Sequence, residues 1–194
     1  FEATAGAVPG VGGLKRVPSL RGRITHLDGV PAAKVAIDPS VAWVRHGDRG
    51  LTYAGQPPEG AQIVAGEWWP EDYSGPPLVS VGAKEAAGLG LEVGDTITVN
   101  VLGREVTAKV ANLRRINWAT FGINFVLVFA PGLWEAAPHS FIATAQAPLE
   151  NELALETAVT DRFPNISAIR VRDALAAAGK ILANIAVARA SRSR

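Results

Sequence analysis

The chain has 194 residues, a formal net charge of +1, 48% hydrophobic residues and 19% charged ones. That length suits one large domain or two small ones, and the apolar content supports a packed core and excludes a disordered chain. The small net charge gives no broad field for nucleic acid, and the absence of cysteine excludes disulfides, thiolate metal ligands and cysteine nucleophiles.

Methionine is also absent, even at position 1, so Phe1 is expected to continue a longer protein. No signal-peptide pattern is visible, and no window of about 18 apolar, uncharged residues occurs. The nearest approach is the stretch from Ile181 to Ala188, which runs into Arg189.

The Ala-rich start, Phe1 to Val8, is expected to end a helix that Pro9-Gly10 stops. Leu14 to Leu27 reads as an extended segment with Val17, Leu20, Ile24 and Leu27 as its apolar positions, closed by the turn residues Asp28-Gly29. From Val30 to Pro138 the texture is mostly β, and all five tryptophans lie there. Ser80 is the expected cap of a short helix that ends at Gly88 or Gly90. Ile97, Val99 and Val101 alternate with polar residues, Leu102-Gly103 turns the chain, and Val106, Ala108 and Val110 alternate on the return, which predicts a hairpin. Asn124 to Phe129 is an apolar run expected to form a buried strand. Further on, the pattern predicts a strand over Ser140 to Ala145 and a helix over Asn151 to Phe163. Leu155, Val159 and Phe163 are four apart on that helix, with Glu152 and Glu156 outside. A strand over Ile166 to Arg172 and a last helix capped by Asp173 complete the reading.

The fold class expected is α+β: an α/β outer subdomain, discontinuous over 1–30 and 139–173, around a β-rich insertion over 31–138, with a final helix over 174–194.

Catalytic chemistry finds little support. His26, His46 and His139 are isolated, without a second ligand type at helical spacing, so no metal is expected. No nucleophile elbow and no phosphate loop occur; Gly10-Val-Gly-Gly13 lacks the frame of one. The carboxylate pairs Glu71-Asp72 and Glu150 with Glu152 sit in polar contexts that suggest solvation. No catalytic residue, cofactor or metal is expected, and the chain is not read as an enzyme.

The aromatic residues stand out. Trp68-Trp69 lies at a turn, and Trp118 follows Arg114-Arg115 closely. Two readings stand open for Trp68, Trp69 and Trp118: rings filling the core, or an apolar surface for a protein partner or lipid-like ligand. Arg114 and Arg115 equally suit an acidic partner, cation–π contacts or the solvated face of a strand.

Several motifs occur in order: Val17-Pro-Ser-Leu-Arg-Gly-Arg-Ile24, Val64-Ala-Gly-Glu-Trp-Trp-Pro70, Leu89-Gly-Leu-Glu-Val-Gly-Asp-Thr96, Arg114-Arg-Ile-Asn-Trp118, Asn124-Phe125 and Phe129-Ala-Pro-Gly132. The set resembles the periplasmic region of YbbP-like ABC-transporter permeases, relatives of the MacB, LolC/LolE and FtsX group. The Leu-Gly-Leu-x-x-Gly-Asp element alone is a weak signal, and the Trp-Trp-Pro and Arg-x-x-Trp elements beside it are far more specific.

The resemblance implies a MacB-like periplasmic core domain: a porter-like α/β subdomain carrying an inserted β-rich subdomain of the Sabre type. It implies a place on the periplasmic side of the bacterial inner membrane, as part of an integral membrane protein. The partner it implies is a cytoplasmic ABC ATPase subunit, reached through membrane helices. A periplasmic partner of the lysophospholipase or thioesterase kind and a lipid-like ligand are further expectations of the same origin. The function implied is mechanotransmission, the relay of ATP-driven movement to the periplasm for export or extraction of a lipid-like or hydrophobic compound. The helix from Asp173, with Gly179 as a weak point, would be its lever leading to a membrane helix. The alternative is a free-standing periplasmic binding or adaptor protein for hydrophobic ligands.

Overall fold

The computed structural model describes residues 1–118 and 122–173. Helix α1 (Glu2–Gly6) opens the chain and ends before Pro9-Gly10. The long strand β1 (Gly12–Leu27) follows and closes in a turn where Asp28 and Gly29 take φ of 44° and 73°. Strand β2 (Val30–Pro31) folds back on its end. The Asp38 carboxylate then accepts the Ser40 N–H at 2.7 Å and caps a single 3-10 turn, Pro39–Val41, which runs into the short helix α2 (Ala42–Arg45). Next come β3 (Arg49–Tyr53), β4 (Gln62–Gly66) and β5 (Leu78–Gly82). Helix α3 (Ala83–Leu89) leaves β5 directly and stops at Gly90, whose φ of 71° gives the left-handed cap. Strands β6 (Thr96–Val101) and β7 (Arg104–Arg115) form the expected hairpin, with Leu102 and Gly103 at φ of 51° and 85°. Strands β8 (Leu127–Phe129) and β9 (Ser140–Gln146) and helix α4 (Glu152–Arg162) complete the described elements.

The chain divides into two compact units, one of residues 1–15 with the described residues from Thr144 onward, the other Arg16–Ala143. In the second, strand pairings return on themselves: β1 to β3, β3 to β8, β8 to β5, β5 to β7, β7 to β6, and β6 back to β1. Six strands therefore close a barrel, with β3–β8 and β5–β7 parallel and the other four pairings antiparallel. Closure removes the free edges that an open sheet of this size would expose. Strand β4 pairs with the outer part of β7.

The barrel interior explains the alternation read from the sequence. Ile24 and Leu27 from β1, Leu51 from β3, Val79 and Val81 from β5, Ile97 and Val99 from β6, Ala108 and Val110 from β7, and Phe129 from β8 share one core. Gly22 stands where β1 hands over from β3 to β6, and a Cβ there would lie 2.9 Å from the Asn100 carbonyl oxygen. Only glycine permits that crossing without displacing backbone.

The first unit is thinly packed. Helix α1 lies against α4, the Asn151 side-chain amide donates to the Pro9 carbonyl at 2.8 Å, and Ala5 and Val159 are its buried apolar residues. Leu155 and Phe163 share the Val159 face but are only half-buried.

Four local expectations need correction. Ser80 does not cap α3: it is wholly buried in β5, and Gly82 takes the N-cap position with no side-chain bond. The buried apolar run 125–130 is strand only over Leu127–Phe129, because the Phe125 and Val126 carbonyls turn to the Arg114 guanidinium. Residues 166–170 are not strand; alternation without a second strand to ladder against does not suffice, and Arg170 and Arg172 are drawn to Glu156 and Glu152 on α4. Asp173 is not a cap, since residues 171–173 are already helical. The remainder of the expected lever helix, 174–194 with Gly179, lies outside the described residues.

Candidate functional site

The Trp68-Trp69 turn is set by Gly66, at φ of 71°, where a Cβ would collide with the Ala111 carbonyl and sit 3.0 Å from Asn112 Cα. Beyond that turn the two indoles stack at 4.1 Å between centroids, tilted by 32°. Trp69 Nε1 donates to the Ala54 carbonyl and Trp68 Nε1 to the Gly55 carbonyl, each at 2.9 Å. Trp69 is only 4% exposed and belongs to the packed interior, and Trp68 is half-buried over it. Together they pin the backbone leaving β3. Trp69 therefore offers no surface to a partner.

Arg114 and Arg115 are neighbours with opposite fates, as alternation along β7 requires. Arg114 is 2% exposed. One of its terminal nitrogens donates to the Ser80 carbonyl at 2.7 Å and the Ser80 hydroxyl at 3.0 Å. The other donates to the Phe125 carbonyl and, at 3.2 Å, to the Val126 carbonyl. Burial pulls its guanidinium down to about 10, against the opposing charge of Glu85, so it remains a cation at neutral pH. The Ser80 hydroxyl passes the network to Asn112 Oδ1, and Asn112 Nδ2 donates to the Glu67 carbonyl at 3.1 Å. Four carbonyls from three parts of the chain thus meet two side chains, which makes the buried Arg114 a structural tie. Arg115 is exposed and donates to Gln62 Oε1 at 3.1 Å across the β4–β7 pair.

Trp118 is 51% exposed and meets Trp43, 42% exposed, edge to face at 6.3 Å and 78°. The Arg49 guanidinium lies 5.7 Å from the Trp43 ring centroid and donates to the His46 carbonyl. Around the two rings is a cavity of about 250 Å³ lined by Ser40, Val41, Trp43, Lys84, Glu85 and Trp118. Glu85, 4% exposed, is the acidic member of a lining that mixes two indoles with Ser40, Val41 and Lys84. A second cavity, of about 170 Å³, lies beside Tyr53, Arg115, Asn117 and Phe125.

Trp43, Lys84 and Glu85 escape a reading of the sequence. Trp43 sits in a four-residue helix far from Trp118 along the chain, and Lys84 and Glu85 read as the ordinary first turn of α3. The one signal available was the Asp38-Pro39-Ser40 cap, which announces the helical turn leading into Trp43 but not that ring's neighbour.

His26 and His139 make local contacts. His139 Nδ1 faces the Ala137 carbonyl at 2.7 Å and so carries the proton, leaving Nε2 to accept from Tyr53 Oη at 3.4 Å. Among the described residues no group of three or more His, Asp or Glu gathers in metal-ligating geometry. In the first unit Glu152 pairs with Arg172 at 2.7 Å and Glu156 with Arg170 at 3.1 Å. These half-exposed pairs contribute about 0–1 kcal/mol each and orient the segment after α4 more than they stabilise it. No described helix is long and apolar enough to cross a membrane.

No family model matches the chain. One curated relative, described as an uncharacterized ABC transporter permease, YbbP, of Escherichia coli (strain K12), is 31% identical over 121 residues. The aligned residues are 62% of this chain but 14% of the relative, so the chain is related to an ABC transporter permease over a small part of that protein's length.

Proposed function

We propose that this chain is an extracytoplasmic domain of an ABC-transporter permease, which relays ATP-driven movement to the periplasm for export or extraction of a lipid-like or hydrophobic compound. The observation that carries the reading is the 31% identity to a permease over 121 residues. In this reading the barrel takes the place of the inserted, Sabre-like subdomain and the first unit that of the porter-like one, with residues 174–194 as the stalk. The partner is a cytoplasmic ATPase, reached through membrane helices. A rigid body serves a relay, and a closed barrel tied by a buried guanidinium network is rigid. Of the residues expected at a contact surface, Trp118 and Arg115 are exposed, and we place the contact there.

The cysteine-free sequence gives a direct test of location. Leu102, 72% exposed at the β6–β7 turn, is replaced by Cys in the full-length protein. Labelling of Leu102→Cys by a membrane-impermeant maleimide in spheroplasts is expected, at the level reached after lysis. Labelling only after lysis overturns the extracytoplasmic placement.

The relay has its own test. A fluorophore on Leu102→Cys in the reconstituted transporter is expected to respond to ATP. A flexible Gly-Ser segment inserted after Asp173 should abolish that response while ATP hydrolysis and the melting temperature persist. A full response in the insertion variant removes the lever.

A further inference from the structure

We infer that the recess lined by Trp43 and Trp118 binds a neutral sugar ring. The inference rests on the reading of Trp118 as a contact residue and adds the chemistry of what it contacts.

The recess asks for a ligand with both apolar faces and hydroxyl edges. Its lining includes two indoles that meet each other edge to face at 6.3 Å and 78°. Both rings remain about half exposed, whereas Trp69 and Trp134 are packed away. A pyranose stacks its C–H face on an indole and turns its hydroxyls outward. The polar residues of the lining, Ser40, Lys84 and Glu85, carry donors and acceptors that suit such hydroxyls.

Charge decides against the competing ligands. An anion would meet the Glu85 carboxylate in the wall, and a cation would meet Lys84 there and Arg49 beside Trp43. The two charges in the lining, Lys84 and Glu85, are compensated within the protein. Glu85 interacts electrostatically with the buried Arg114. Asp38 is held below the usual carboxylate range by the Ser40 N–H first and its hydroxyl second, with a smaller contribution from Lys84, so these two opposite charges attract. Arg49, outside the lining, faces the Trp43 ring and donates to the His46 carbonyl, and its buried Nε has no hydrogen-bond partner. A site whose charges are balanced within the protein selects a neutral guest. A purely apolar guest would strip water from the exposed Lys84 and return no hydrogen bond. The volume, about 250 Å³, is below the roughly 300–1,000 Å³ of drug-sized sites and suits one ring.

The ring could belong to a free glycan or to a glycolipid headgroup, and the probes separate these. Indole N–H cross-peaks of the ¹⁵N-labelled 194-residue chain are followed against maltose, cellobiose and chitobiose. Dodecyl maltoside and lauryldimethylamine oxide micelles are compared in parallel. Saturable shifts of the Trp43 and Trp118 peaks, with half-saturation at millimolar disaccharide, are expected. Trp118→Ala should weaken binding about tenfold or more, the loss of one stacking surface, with melting unchanged. A response to free disaccharides supports the glycan source, and a response confined to dodecyl maltoside supports the glycolipid. No response to any sugar, equal shifts with both detergents, or undiminished binding in Trp118→Ala overturns the inference. The contact reading is checked apart, by the ATPase rate of the full-length transporter carrying Trp118→Ala. A changed rate in a protein blind to sugars leaves the contact and removes the sugar, and an unchanged rate removes the contact.

Discussion

Replacing Arg114 by methionine lowers the stability of the chain by about 3–5 kcal/mol, the cost of removing one partner from a buried charged network. The substitution preserves much of the side chain's length but withdraws the donors that serve Ser80, Phe125 and Val126. The three carbonyls lie in or beside β5 and β8, so the loss falls where those strands close the barrel. The Glu85 charge also loses its compensating cation. Urea unfolding should show the drop, and Arg115→Ala, on the solvent face, should stay within about 0.5 kcal/mol of the parent. A second measurement isolates the charge. Glu85→Gln should destabilise the parent, yet recover part of the loss in the Arg114→Met background, because a neutral amide tolerates the missing cation. Additive losses would show that the two side chains do not act as a pair.

Trp69→Ala is expected to cost about 3–5 kcal/mol as well, by a different route. The ring fills interior volume, stacks on Trp68 at 4.1 Å and holds the Ala54 carbonyl at 2.9 Å. Alanine leaves a cavity and frees the backbone beyond β3, which Trp68 alone then restrains through Gly55. Trp69→Phe separates the contributions: it restores most of the ring and removes the N–H, and should cost about 1–2 kcal/mol. For a domain of this size each kcal/mol moves the melting temperature by about 2–4 °C, so Trp69→Ala and the solvent-facing Trp118→Ala differ plainly in a melting curve. Equal, small shifts for both would mean that Trp69 is not core.

The aromatic and arginine residues show where reading a sequence stops. The motif holding Trp68 and Trp69 is visible at once in the sequence, and which of its rings is buried is not. The partner of Trp118 was not visible. Trp43 meets it only because the β3–β8 pairing and the path of α2 bring two distant segments together. The recess lined by Lys84 and Glu85 has the same origin, so the candidate site was legible in one of its two rings.

What the sequence by itself determined are features encoded within about ten residues. These are the β6–β7 hairpin, with its alternation and Leu102-Gly103 turn, the long β1 ending at Asp28-Gly29, and α4 and its stop before Pro164. Period-two burial and residues that accept positive φ are local properties, so they survive without knowledge of the fold. Tertiary structure alone decided the closing of six strands into a barrel, the burial of Arg114 instead of its neighbour, and the failure of 166–170 to become a strand. Each depends on whether partners from elsewhere arrive with hydrogen-bonding groups in reach. The cost of burying a charge or an unpaired strand is set by those arrivals, not by the residue's neighbours in the chain.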